Sequence, residues 1–174
     1  MYTNNLSSAE AAPFYQKYID LVAENCSLDG ALLDGLTDFS NLANTITNLH
    51  KEKFKYLPEK WTVQELLLHL IDAERVFCYR ALCISRNDKT HFPGFDEDYY
   101  VANSDANNRS FDSLVAEFLV VRQSTIALFK NLSQNQLLLI GTASNSQISV
   151  RAIGFIIAGH FKHHVQVLQE RYLM

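Results

Sequence analysis

The sequence predicts an all-α chain, and specifically a four-helix bundle, on three observations. Apolar residues recur at spacings of three and four through four long stretches. Helix-start signatures precede the best of those stretches. No stretch alternates apolar and polar residues long enough to propose a strand. Four long amphipathic helices in a chain of 174 residues pack most simply as a bundle around one core.

Residues 1–12 are polar and rich in small side chains, so fraying is expected there. Pro13 suits a first helical turn, and Phe14, Tyr18, Ile19 and Val22 suggest a short leading helix. Residues 1–27 are therefore read as a tail with this helix, and 28–174 as the folded domain. The first long helix is expected over 28–56, with Leu32, Leu36, Phe39, Ala43, Ile46 and His50 in period and Pro58 closing it. The second opens on Thr62-Val-Gln-Glu65, a capping box in which Thr62 and Glu65 each satisfy the other's backbone N–H. Behind it run Leu66, Leu67, Leu70, Glu74, Phe77, Cys78 and Ala81, ending near Arg86-Asn87-Asp88. Residues 87–110 lack periodicity, and a link this long is usually functional or a crossover. The third helix spans 111–132, Ser133 and Gln136 form a second capping box over a short turn, and the last helix runs over 149–172.

Composition excludes several classes. A net charge of −4 with only 15 basic residues, none clustered, argues against nucleic-acid binding. No run reaches the roughly 18 apolar residues of a membrane span. The start has neither a basic nor an apolar segment of the secretory kind. Cys26, Cys78 and Cys83 are odd in number and lack metal or redox spacing, which fits a reduced, cytoplasmic protein.

The histidines are the residues that converge. In Gly159-His160-Phe161-Lys162-His163-His164, His164 lies in line with Ile157 and Phe161 on the buried stripe. His160 lies one turn earlier and about 40° away, so both rings can aim at one point, whereas His163 points outward. An i, i+4 histidine pair on a core-facing helix is a chelating geometry, but two ligands hold a metal poorly. His69, mid-helix on the shoulder of the second stripe, is the best third candidate. Three imidazoles would leave an open position for substrate. On spacing alone, ligation and a hydrogen-bonded core role stand level. His50 is in line with Leu32 and near His69 in level, as a fourth ligand, a supporting partner or a core residue; His91 is read as solvated.

These residues and their context resemble the DinB/YfiT-like superfamily. The matching stretches are Trp61 through His69, Asp72, Glu74 and Arg75, then Phe92-Pro-Gly-Phe-Asp96-Glu-Asp-Tyr, Arg122, and Ser149 through His160 and His164 to Tyr172. Together they cover about residues 28–174. The resemblance implies helices in up-down-down-up order, with 87–110 as the long crossover between the second and third. It implies one divalent metal ion held by His69, His160 and His164, zinc or nickel foremost, since imidazole suits both. It further implies a homodimer, and a low-molecular-weight thiol as cosubstrate, conjugated to an electrophile.

Thiol chemistry is physically reasonable at such a site, because a cation deprotonates a thiol whose pKa is otherwise about 8.5. Hydrolysis could use the same site through an acidified water, and would want a carboxylate base, for which Asp72 and Glu74 are nearest His69 in sequence. A non-catalytic metal-binding stress-response module is the competing class. Pocket candidates are His50, Glu74, Arg122 and Tyr100. Arg122 either anchors a substrate carboxylate or pairs with an acidic neighbour such as Glu74. Tyr99 and Tyr100 line a pocket mouth or a dimer surface, Trp61 packs as a staple, and Cys78 is read as inert packing.

Overall fold

Each long helix begins on a polar side chain that satisfies its first free N–H groups. Ser27 accepts from Gly30 ahead of α2 (Leu28–Asn48), and Thr62 and Glu65 form the expected capping box ahead of α3 (Val63–Ser85). Ser110 caps α5 (Phe111–Lys130) and Ser149 caps α7 (Val150–Val167), which continues as a π-helical turn over Leu168–Tyr172. A short α1 (Gln16–Ile19), α4 (Glu97–Ala102) and α6 (Gln134–Leu137) complete the helices, and α6 carries its own Ser133/Gln136 capping box. The computed structural model describes residues 1–174 apart from Asn4, Asn5 and Ser8.

α2, α3, α5 and α7 form a four-helix bundle. Thr62 meets Asn107 just ahead of α5, Glu74 meets Arg122, and Cys78 meets Thr125. Leu28 lies against Gly154, and Gly35 against Phe161. Trp61 takes a hydrogen bond from Tyr172, and His69 faces His160. Phe39, Phe118 and Phe161 stack where the helices meet, at centroid separations of 4.1 and 5.4 Å along the series. Such offset aromatic contacts add to simple area burial.

Three expectations are corrected. The first long helix stops at Asn48, not near 56. His50 adopts φ 51°, and its N–H bonds to Thr47 while that of Lys51 bonds to Ile46, a left-handed ending that satisfies the helix's final carbonyls. His50 therefore lies outside the helix and exposed, not on its inner stripe. Second, the chain is not wholly α-helical. β1 (His91–Phe92) runs parallel to β2 (Ile140–Ala143), which pairs antiparallel with β3 (Ser146–Ser149). Ser144 and Asn145, both at positive φ, make the tight hairpin turn, a place more often marked by Asn-Gly.

Third, the leading segment is tied down. The carboxylate of Glu10 accepts from the Ser149 hydroxyl and from Arg151, and its carbonyl accepts from the Ser149 N–H at 2.9 Å. Tyr15, Ile19 and Val22 are buried, and α1 lies along α7. The approach is closest at Gly159, where a Cβ would stand 1.9 Å from the carbonyl oxygen of Tyr18. Glycine there is a packing requirement, which offsets its helix cost of about 1 kcal/mol.

Candidate metal centre

The capping box sets where α3 begins, and α3 delivers His69 from its second turn onto α7. On α7, His160 and His164 lie on successive turns of the same face. The three rings meet through their Nε2 atoms: His160 is 3.2 Å from His69 and 3.1 Å from His164. Tetrahedral coordination at about 2.05 Å would separate two nitrogens by roughly 3.3 Å, close to both separations from His160, and all three donor atoms lie within 4.8 Å of one another. His69 and His160 are buried and His164 half-buried.

Protons alone do not satisfy this arrangement. Each Nε2 has one lone pair or one hydrogen, so His160 makes a good hydrogen bond to one neighbour and not to both. His164 Nδ1 is in addition the one buried side-chain nitrogen or oxygen without a hydrogen-bond partner among the described residues. A histidine kept for packing is normally hydrogen-bonded. Three lone pairs pointed at one shared cation resolve the first difficulty.

Electrostatics agree. Burial lowers the pKa of His69 to about 4, with the charge of Asp98 acting weakly the other way. Burial, then the repulsion of His69, His163 and Lys17, brings His164 to about 3. His160 lies well below its ordinary value, again through burial first and its histidine neighbours next. All three are neutral near pH 7, the protonation state a metal ligand needs. Among the described residues they are the one group of three or more His, Cys, Asp or Glu side chains close enough to share an ion.

The walls are aromatic. Trp61 lies 4.9 Å from the His69 ring, so the expected staple also covers a site residue. Tyr18 packs its ring against His160 at 5.2 Å and His163 at 5.5 Å. Tyr18, Lys17 and Asp98 had no sequence signal as site residues; Gly159 next to His160 was the available hint that backbone comes close there.

Of the remaining candidates, Glu74 and Arg122 line a small cavity together with His160 and Phe161, whereas His50 and Tyr100 lie elsewhere. Glu74 and Arg122 are buried against each other, with contacts of 2.8–3.1 Å, and Thr125 donates to Glu74 at 2.6 Å. Arg122 Nη1 also reaches the Leu32 carbonyl. The guanidinium is thus committed to a core ion pair, and the carboxylate is not free to act as a base. Asp72 joins Arg75, which in turn pairs with Glu117. His50 edges a separate hollow with Lys53, Gln64 and Phe111. Tyr100 is exposed on α4, in a groove with Leu68, Arg75 and Arg109. Burial pushes the Cys78 thiol up to about 11, which favours the protonated form, and the sulfur lies 3.1 Å from the Thr125 hydroxyl.

No helix among the described residues is long and apolar enough to cross a membrane. No protein of curated function matches the sequence. Among solved structures, the fold is similar to that of YfiT from Bacillus subtilis, described as a probable metal-dependent hydrolase with an unusual four-helix bundle topology. The TM-score is 0.70 at 15% identity, over 95% of this chain and 89% of that one. A sequence profile of the DinB superfamily matches residues 31–168, most of the bundle and all three converging histidines, and the chain accordingly belongs to the DinB superfamily.

Proposed function

We propose that the protein is a metal-dependent enzyme that activates a low-molecular-weight thiol for transfer to an electrophile. One observation carries the reading: three neutral imidazoles from two helices converge through Nε2 with no carboxylate or thiol among them. His69, His160 and His164 would hold one divalent cation, zinc or nickel. When bound, it supplies positive charge that acidifies a thiol or a water molecule. α3 and α7 fix the three rings before any ligand arrives. Trp61 and Tyr18 exclude water from two sides and raise the strength of charge interactions within. A thiol, once acidified, needs no protein base, which suits a site whose nearest sequence candidates, Glu74 and Asp72, are both engaged.

The second reading is hydrolysis, favoured by the exposed Asp98, whose charge is felt at His69, and by the description of YfiT. We also read the helix pairings as supporting the up-down-down-up order, with 87–110 as crossover and 28–174 as the family unit. Free Cys26, Cys78 and Cys83 support a reduced, cytoplasmic setting, and a homodimer is the assembly we propose.

Protein purified without a histidine tag is expected to hold one equivalent of metal after reconstitution with zinc or nickel. Less than about a tenth of an equivalent would remove the metal-centre reading. Turnover of monochlorobimane or chlorodinitrobenzene with a panel of thiols then separates transfer from ester hydrolysis. Metal uptake without either activity would leave a binding module.

A further inference from the structure

The leading segment lies almost wholly outside the residues the family profile matches, yet it reaches the histidines. Its position beside them is set by backbone packing. The Tyr18 carbonyl rests on Gly159, one residue before His160, so closely that no Cβ fits between them. The Tyr18 ring then stands edge-on to His160 and His163, and the Lys17 ammonium lies 4.8 Å from the centre of that ring. Tyr15, Ile19 and Val22, buried beneath, keep the segment from shifting along α7.

The charge pattern is unusual for a cation site. No carboxylate belongs to the ligand cluster, and Lys17, held over the Tyr18 ring that packs on His160, sets a positive charge whose repulsion is felt at His160 and His164. A cation bound there would be repelled slightly by Lys17 and attracted slightly by Asp98 from the His69 side, so the Lys17 side of the site is the one suited to an anionic group. Its ammonium is exposed and makes no ion pair within 4 Å among the described residues, which leaves its donors available.

We propose that Lys17 is a substrate-positioning residue, which binds the carboxylate of a carboxylate-bearing thiol while the thiol faces the three histidine Nε2 atoms. The N-terminal segment is then part of the substrate site and not an accessory to the fold. The proposal rests on the thiol reading above and names its substrate class.

The test uses the full chain loaded with cobalt, whose visible spectrum reports ligands entering the histidine site. Mercaptoacetate and 2-mercaptoethanol serve as probes, matched in size and differing in the carboxylate. Lys17→Met is expected to weaken mercaptoacetate binding about five- to tenfold, as loss of one charge-assisted contact near the surface allows, and to leave 2-mercaptoethanol binding, cobalt content and melting temperature unchanged. Lys17→Arg should retain most of the mercaptoacetate affinity. Mercaptoacetate affinity equal in the wild type and Lys17→Met, or an equal loss for both thiols, would overturn the role of Lys17 and leave the thiol reading standing. A cobalt spectrum that neither thiol alters would overturn both.

Discussion

Two buried polar clusters share α3, and they differ in how well they satisfy themselves. Around Glu74, the carboxylate takes three contacts from Arg122 and one from Thr125, and Arg122 reaches the Leu32 carbonyl as well. Around His69, three rings turn their Nε2 atoms on one another, and His164 Nδ1 has no partner. Glu74, Arg122, His69 and His160 are all buried, and His164 is half-buried at the outer side of its cluster. A polar cluster that closes on itself is a structural device; one that converges and stays incomplete is built for something from outside. Arg122 and Glu74, which the sequence offered both as pocket candidates and as an ion pair, are engaged with each other at the edge of a cavity they share with His160.

The contrast breaks most visibly through Glu74. Glu74→Ala should cost about 3–5 kcal/mol in urea denaturation, because it strands a buried guanidinium. Glu74→Leu combined with Arg122→Met should recover most of that loss, since an apolar pair of similar volume needs no partners. A single variant as mild as a surface change would show that water reaches Arg122 and that the cluster is not closed.

The histidine cluster should respond in the opposite sense. His160→Ala removes the ring common to both close contacts, and zinc affinity measured by competition should fall at least about a hundredfold. The metal-free protein should change in stability by no more than about 1–2 kcal/mol, because no complete hydrogen-bond network is lost. Large destabilisation with metal uptake intact would place the rings with the structural cluster after all.

Acid sharpens the same distinction. The folded chain holds His69 at about 4 and His164 at about 3, whereas the unfolded chain titrates near 6.5. Below that pH the unfolded state carries protons the folded state refuses, so metal-free stability should fall with decreasing pH, by at most about 1.4 kcal/mol per unit for each group. Denaturation curves at several pH values between 7 and 4 measure the slope, and His69→Gln should flatten it. An unchanged slope would mean that His69 is not held neutral by burial.

The smallest expected effect concerns the leading segment. Burial acts to raise the Glu10 pKa, but the hydrogen bonds from Arg151, the Ser7 N–H and Ser149, with the Arg151 charge, bring it down to about 2. The stabilisation is complete above the unfolded value of about 4.5 and is lost as pH falls through 2. Glu10→Gln should therefore cost about 1–2 kcal/mol at neutral pH and nothing near pH 2, a difference that thermal melts at the two pH values would show.

Much of this was readable before folding because it is local. The capping boxes at Thr62 and Ser133, the four apolar stripes, and the choice of His164 over His163 depend on spacing along single helices. The end of α2 was not readable, since the pattern ran plausibly on to Tyr56 and a stop at Pro58 while His50 turned left-handed. The strands were missed because each is only two to four residues long and the turn between the last two is Ser-Asn. The leading segment was expected to fray because its anchors, Arg151 and Gly159, lie far along the chain.

Taken by itself, the amino-acid order determined which stretches are helical, which face of each is apolar, and that two histidines stand one turn apart, since periodicity and caps act within a few residues. Whether His69 would complete that pair, whether Arg122 would face a ligand or Glu74, and whether Lys17 would reach the histidines were decided only when α1, α3, α5 and α7 packed. The first two outcomes turn on contacts of about 3 Å between residues 91 and 48 positions apart, and the third on the packing of Tyr18 against His160, all set by backbone packing that no local pattern encodes.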